Sequence, residues 1–315
     1  MTFLVKSMNE YFGYPQSVKK TNLKNYKYDM AILYNPEEEI PPSDKGAIEQ
    51  FISAAKDLRI SAEVIGNKDI GNLNRFDGLF IRETTDIMNH TFHFAKKAEM
   101  EGLIVIDDSQ SIVRCCNKVF LHDLLSKKSI NTPQTTILYK NKKFEDIYEY
   151  PLIVKKPDSA FSAGVKKVNN FQELKACTDE FFKGSDLLIT QEYMPTEFDW
   201  RIGVLNNEPL YACKYYMSSG HWQIINREGN KTREGNVETF DVHTVPSEAV
   251  RLALRACKAI GDSLYGVDIK ERDGEFYVIE VNDNPSIEKG CEDKILGQNL
   301  YKRIVDVFYN RMESR

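Results

Sequence analysis

No two of the six cysteines, at positions 115, 116, 177, 213, 257 and 291, stand in a C-x-x-C spacing, and no spaced histidine pair accompanies them. That excludes the sequence pattern of a structural zinc site and of a thioredoxin-like redox pair, leaving reduced, mostly buried thiols as the expectation. No apolar run reaches the ~18 residues that would suggest a membrane span, and the opening M-T-F-L-V-K-S-M-N-E-Y lacks the apolar core of a signal peptide. Both absences point to a cytoplasmic protein with no membrane partner. Charge of one sign is not in excess either: 42 Lys and Arg against 47 Asp and Glu give a formal net charge of -5. A nucleic-acid partner held by phosphate neutralisation is therefore not expected. Internal repeats and low-complexity tracts are missing as well. What is present is a chain of 315 residues, 42% apolar, long enough for a sizeable core and for about two or three domains.

After residues 1–27, which carry no readable pattern, strands and amphipathic helices alternate: 29–34, helix 43–58, 62–65, 78–81, helix 86–101 and 103–106. This is the signature of a parallel sheet covered on both faces, an α/β domain of about a hundred residues. In helix 43–58 the residues Ala47, Ile48, Phe51, Ile52, Ala55 and Leu58 recur at helical spacing, and Ser43 is the expected N-cap. A second region holds helix 117–128, short strands 135–139, 152–155 and 165–168, and helix 171–182. A third, from Leu187, has longer strands (187–193, 200–205, 209–216, 264–270, 275–282) and helices 247–261 and 292–312. The stretch 218–243 lacks periodicity and reads as a long functional loop.

Tyr265–Asn282, Y-G-V-D-I-K-E-R-D-G-E-F-Y-V-I-E-V-N, is the most informative segment. Two β-rich runs flank Asp273-Gly274, so it reads as a hairpin. Alternation sends Phe276, Val278, Glu280 and Asn282 to one face and Tyr277, Ile279 and Val281 to the other. A two-residue turn would pair Asp268 with Ile279, on the wrong face. A three-residue loop Arg272-Asp273-Gly274 pairs Asp268 with Val278, and this register is the expectation. Asp268, Glu280 and Asn282 then converge as hard oxygen donors suited to Mg²⁺ beside nucleotide phosphates. The alternative is a solvated polar face on an edge hairpin.

Lys155 ends the strand P-L-I-V-K and precedes K-P-D-S-A-F-S-A-G-V, a turn of small residues containing Ser162 and closing on Gly164. A cation at a strand end facing a loop with exposed N–H groups is a phosphate clamp; a surface lysine beside a hairpin is the plainer reading. Lys118, at the start of a helix, is a second candidate cation. The strand L-L-I-T-Q-E-Y-M-P runs through Gln191, Glu192, Tyr193 and Met194 to Pro195, an extended backbone able to meet an adenine edge. Glu197 or Asp199 beyond it can accept from ribose hydroxyls. Arg201 and Lys214, on successive strands, form a candidate catalytic pair to neutralise a transferring phosphoryl group; surface ion pairing is the other option.

Taken in this order, Lys118, Lys155 with its loop to Gly164, the Q-E-Y-M hinge, D-W-R (Asp199–Arg201) and D-I-K…E-V-N (Asp268 to Asn282) resemble the ATP-grasp superfamily, and within it the RimK-like carboxylate–amine ligases. The resemblance implies an N-terminal pre-ATP-grasp domain over 1–113 on the substrate side, a small lobe over 114–186, and a large α+β lobe with the metal site over 187–315. It also implies ATP between the lobes, two Mg²⁺ ions (Mn²⁺ as a substitute) bridged by Glu280, and a substrate carboxylate phosphorylated to an acyl phosphate that an amine attacks. The partners implied are ATP, a small carboxylate and an amine, with a peptide or protein acceptor allowed. L-F-I-R-E-T-T (Leu79–Thr85) and I-D-D-S-Q-S-I-V-R-C-C-N-K (Ile106–Lys118) look like the first-domain signature of a less studied branch, in which Arg82 is the first choice for a carboxylate anchor.

Two departures stand out. The 158–164 loop is poorer in glycine than is usual for the group, and after Asn282 the chain reads D-N-P-S-I-E-K-G instead of a small residue followed by S-P-G. Acceptor contacts therefore do not transfer by motif, and Ser286, His221 and Trp222 are candidates by position only. A small-molecule kinase and a catalytically silent nucleotide-binding protein remain competing readings, and a homo-oligomer is compatible with all three.

Overall fold

The computed structural model describes residues 25–141, 149–158, 164–228 and 231–315. The first four strands, β1 (Tyr28–Leu33), β2 (Ile60–Ile65), β3 (Gly78–Ile81) and β4 (Ile104–Ile106), form a parallel sheet in the order β2-β1-β3-β4. Met30 and Ile32 face one core while Ala31 and Leu33 face another, as a sheet covered on both sides requires. Helix α1 (Lys45–Asp57) packs on the first face and α2 (His90–Met100) on the second.

The N-cap of α1 is Asp44 rather than Ser43: the Asp44 carboxylate accepts from the Ala47 N–H at 2.9 Å. Ser43 is buried and its hydroxyl donates to the Ile287 carbonyl. Similarly, α2 starts later than periodicity predicts because the Asp86 carboxylate closes a turn on the Met88 N–H at 2.7 Å. Helices α3 (Ser109–Cys116) and α4 (Lys118–Lys127) follow, capped by Asp108 and Asn117. The first of these, eight residues long, is too short to show as a periodic segment in the sequence.

A four-stranded antiparallel sheet comes next: β5 (Thr135–Tyr139), β6 (Leu152–Lys155), β7 (Val165–Val168) and β8 (Leu187–Glu192), ordered β5-β8-β6-β7 and backed by α5 (Phe171–Phe181). The largest sheet contains β9 (Phe198–Leu205) and β10 (Glu208–Tyr216). The stretch expected to be a loop contributes a separate hairpin, β11 (Ile225–Glu228) with β12 (Lys231–Glu234), and strand β13 (Val237–Phe240). Their sequences I-N-R-E and K-T-R-E carry no apolar alternation, which is why they left no strand signal. With β14 (Leu264–Arg272) and β15 (Glu275–Asn282) the sheet order is β13-β10-β9-β14-β15.

One face of this sheet packs on α6 (Ser247–Ile260) and on Leu121 and Leu125 of α4. The other face carries the candidate site. Helix α7 (Gln298–Glu313) returns to the N-terminal sheet, where the Phe308 ring meets Phe80 edge-on at 5.6 Å between centroids. Both α4 and α7 thus pack outside the lobe their sequence position suggested. The helix expected over 292–312 begins only at Gln298, because Gly290 and Gly297 take left-handed φ values of 83° and 53° in the preceding turns. Among the described residues no helix is long and apolar enough to cross a membrane.

Candidate active site

Strands β14 and β15 bring Asp268 and Glu280 directly opposite each other, with Asn282 opposite Gly266. The route differs from the three-residue loop expected. The turn has two residues, Asp273 and Gly274, both left-handed at φ 54° and 79°, and Arg272 pairs with Glu275. An irregularity between Asp268 and Ile269 lets Ile269 pair with Val278 and Asp268 with Glu280, so Ile279 is an extra, bulged residue. Phe276, Val278 and Val281 therefore face the core, not the mixed faces that strict alternation assigned them. The bulge turns the strand by one residue and places Glu280 and Asn282 in the cleft.

That cleft encloses about 350 Å³ between the small sheet and the large one, within the range of ligand pockets. Lys118 extends from α4 to place Nζ 2.9 Å from Glu280 Oε1. Arg201, on β9 opposite Asp268, binds it with both prongs, Nε to Oδ1 at 2.7 Å and Nη2 to Oδ2 at 2.8 Å. Lys155, at the end of β6, donates to Gln191 Oε1 at 2.8 Å. Lys270, two residues beyond Asp268 on the same face, bonds Asp199 and Thr196. Lys270 was not among the candidates from sequence, although its i+2 spacing from Asp268 puts both on one strand face.

The electrostatics reflect this crowding. Burial, only partly opposed by Glu280, lowers the Lys155 ammonium to about 8. Burial alone would raise Glu280, but Lys118 and Lys155 outweigh it and hold the carboxyl below its ordinary value. Burial is the main cause that raises Asp199, against the pull of Lys270.

Several expected contacts fall differently. Lys214 does not join Arg201: it pairs with Trp200 on the opposite sheet face and lies over the rings of Phe198 and Trp200, 4.1 and 4.9 Å from their centroids. Tyr215, one residue on, lines the cleft in its place. Arg82 is no free carboxylate anchor. It is fully buried, its Nε donating to Ser43, Nη1 to Asn284 Oδ1 at 2.6 Å, and Nη2 to the carbonyls of Pro42 and Pro285. It ties the first domain to the D-N-P-S loop.

In the hinge, the Glu192 N–H bonds the Gln134 carbonyl and the Tyr193 N–H that of Pro151. The Met194 N–H has no backbone acceptor among the described residues. The Glu192 carboxylate is engaged by Arg272 at 3.0 Å. Glu197 is exposed and outside the cleft, while Asp199 lines it but is held by Lys270. Trp222 and Ser286 line the cleft; His221 instead turns its Nδ1 to the Gln223 N–H at 3.1 Å within its own loop. Gly164 accepts from the Lys156 N–H at 2.9 Å with φ 70°, and Ser162 lies outside the described residues. All six cysteines are free thiols, as expected.

Two carboxylates and one amide do not make a self-sufficient metal cage, and no cluster of three or more His, Cys, Asp or Glu suited to a metal occurs among the described residues. The donor chemistry does suit Mg²⁺, which is commonly held through one or two carboxylates with phosphate and water completing its shell.

A family model described as the RimK-like ATP-grasp domain matches residues 115–308. The chain belongs to this family. It is 31% identical over 230 residues to the coenzyme gamma-F420-2:alpha-L-glutamate ligase of Methanococcus maripaludis, covering 70% of this chain and 75% of that protein. Its fold is shared with D-alanine–D-alanine ligase from Bacillus anthracis, with TM-score 0.71, 17% identity, and coverage of 91% of this chain and 99% of that one. A RimK domain ATP-grasp protein from Sphaerobacter thermophilus superposes with TM-score 0.65 at 14% identity, over 89% of this chain and 99% of that one. The RimK-like chain is thus an enzyme of the ATP-grasp ligase family with an N-terminal parallel sheet before its ATP-grasp lobes.

Proposed function

We propose that the protein joins a carboxylate to the amino group of an amino acid or related amine at the expense of ATP, releasing ADP and phosphate. The observation that carries this reading is the cross-strand pair Asp268–Glu280 with Lys118 and Arg201 upon it, in a cleft that also receives Lys155 and Lys270. Alternating anionic and cationic side chains of this kind match a metal–triphosphate, whose own charges alternate. The glutamate-ligase relative supports an amino acid as the amine.

In this reading the Met194 N–H meets the adenine edge and Lys155 and Lys118 grip the phosphates. Asp268, Glu280 and Asn282 would hold Mg²⁺, which would supply positive charge against the phosphate oxygens. Arg201 faces the phosphoryl group as it moves. A substrate carboxylate oxygen forms a bond to the γ-phosphorus while the bond to ADP breaks. The amine nitrogen then attacks the acyl carbon, phosphate leaves, and the ammonium proton is lost to solvent. Electrostatic stabilisation does the work, and no protein nucleophile takes part.

A coupled ADP-release screen over carboxylates and amino acids tests this. The expected outcome is release that requires both substrates and disappears in Glu280→Ala while the variant keeps its circular dichroism spectrum. A phosphorylated product formed without any amine would identify a kinase instead.

A further inference from the structure

Arg201 is held on three sides. Its Nε and Nη2 are committed to Asp268, its stem lies where a Cβ on Gly266 would approach Cδ to 3.5 Å, and its guanidinium sits 4.6 Å from the centroid of the Tyr215 ring. Nη1 has no acceptor among the described residues. Tyr215 does not rest there loosely: it is 9% exposed, and its hydroxyl donates to Glu292, itself 1% exposed. The second Glu292 oxygen accepts from the Glu288 N–H at 2.8 Å, which fixes the carboxylate in the turn after the D-N-P-S loop. Burial, and then Glu292, push the Tyr215 phenol well above its ordinary value, so it stays a neutral donor.

We propose that Tyr215, anchored by Glu292, is a positioning residue that aims the Nη1 edge of Arg201 at the group transferred in the cleft. Asp268 fixes the guanidinium in its own plane but leaves it free to tilt about the two bonds to the carboxylate. The Tyr215 ring, with the guanidinium carbon over it 4.6 Å from its centroid, restricts that freedom, because a cation over a desolvated aromatic face is attracted to it. Glu292 stops the ring from swinging out with the arginine. The proposal rests on the ligase reading for what Arg201 contacts, but not for how Arg201 is held.

The test therefore has two arms. In the first, Tyr215→Leu is assayed with the carboxylate and amine pair that gives turnover: kcat falls about 100-fold, the scale of losing one aimed donor, while KM for ATP stays within about threefold. Tyr215→Phe, which keeps the ring, recovers most of that loss. In the second arm, the Arg201 Nε–H signal of ¹⁵N-arginine-labelled protein, assigned by its loss in Arg201→Lys, broadens or exchanges faster with water in Tyr215→Leu. A kcat within about threefold of wild type, a loss confined to KM, or an unmoved Nε–H signal would overturn the proposal. If Tyr215→Leu does not fold, Tyr215→Phe and Glu292→Gln carry the test: each lowers kcat by about threefold or more at constant KM, and unchanged kcat in both overturns it. Should no substrate pair give turnover, the ligase reading fails while the Nε–H arm still decides how Arg201 is held.

Discussion

In the proposed reaction Lys155 is the side chain whose protonation most directly governs nucleotide capture, because burial lowers its pKa to about 8. Below that pH the ammonium is charged and grips phosphate; above it, the free protein loses the charge. KM for ATP is expected to rise as pH climbs through about 8, and this inflection should vanish in Lys155→Arg, whose charge persists. Stability runs the other way. The unfolded chain keeps the proton up to the ordinary lysine pKa of about 10.4, so between the two values it binds more protons and this group's contribution to stability rises with pH. A pH series of KM for ATP beside one of thermal unfolding separates the two trends. At this scale the sequence showed which side chains carry charge but not which way they point. Lys214 and Arg201 look equivalent in the chain, yet register places Lys214 opposite Trp200 and Arg201 opposite Cys213, on opposite faces. Arg82 follows the end of β3, where a ligand contact is reasonable, and only its four acceptors reveal it as a strut.

The β14–β15 hairpin shows how an element can be read correctly through the wrong detail. Its strands, turn residues and three oxygen donors were legible because β-branched runs flank Asp273-Gly274. The bulge at Ile279 was not, since a bulge arises from how two strands settle against the core and leaves no composition signal. Two deviations from the expected pairing, a shorter turn and an added residue, leave Asp268 and Glu280 convergent. Gly266 is the place where this element tolerates least: a Cβ there would stand 2.7 Å from Pro285 Cβ. Gly266→Ala should push the 283–286 loop away from the sheet and crowd the Arg201 stem. We expect kcat to fall by about tenfold or more through misplacement, and the melting temperature to fall with it, because the displaced loop carries the Asn284 and Pro285 acceptors of Arg82, as read by ADP release and calorimetry.

Across the whole molecule, the parallel sheet was foreseeable from strand–helix alternation, but strand length divided the two antiparallel sheets wrongly: β8, grouped with the long strands after Leu187, is an inner strand of the small sheet, and β13 of the large sheet lies in the stretch read as a loop. The assembly of the sheets was not foreseeable, because α4 and α7 pack against sheets far from them in sequence. Arg82 is a buried polar link in that assembly, joining β3, Pro42 and the Asn284–Pro285 segment. Arg82→Met keeps much of the volume but leaves the Pro285 carbonyl and Asn284 Oδ1 without the donors they have in Arg82, so unfolding free energy should drop by about 3 kcal/mol in denaturant titration. A loss under about 1 kcal/mol would show that the link carries little.

The central claim is that the cleft transfers a phosphoryl group onto a carboxylate oxygen before the amide forms. Supplying the carboxylate substrate with ¹⁸O in both oxygens and analysing the released phosphate by mass spectrometry tests it directly. The account predicts one ¹⁸O atom in each phosphate formed, carried over when the amine displaces it from the acyl carbon. Unlabelled phosphate alongside amide product would contradict it.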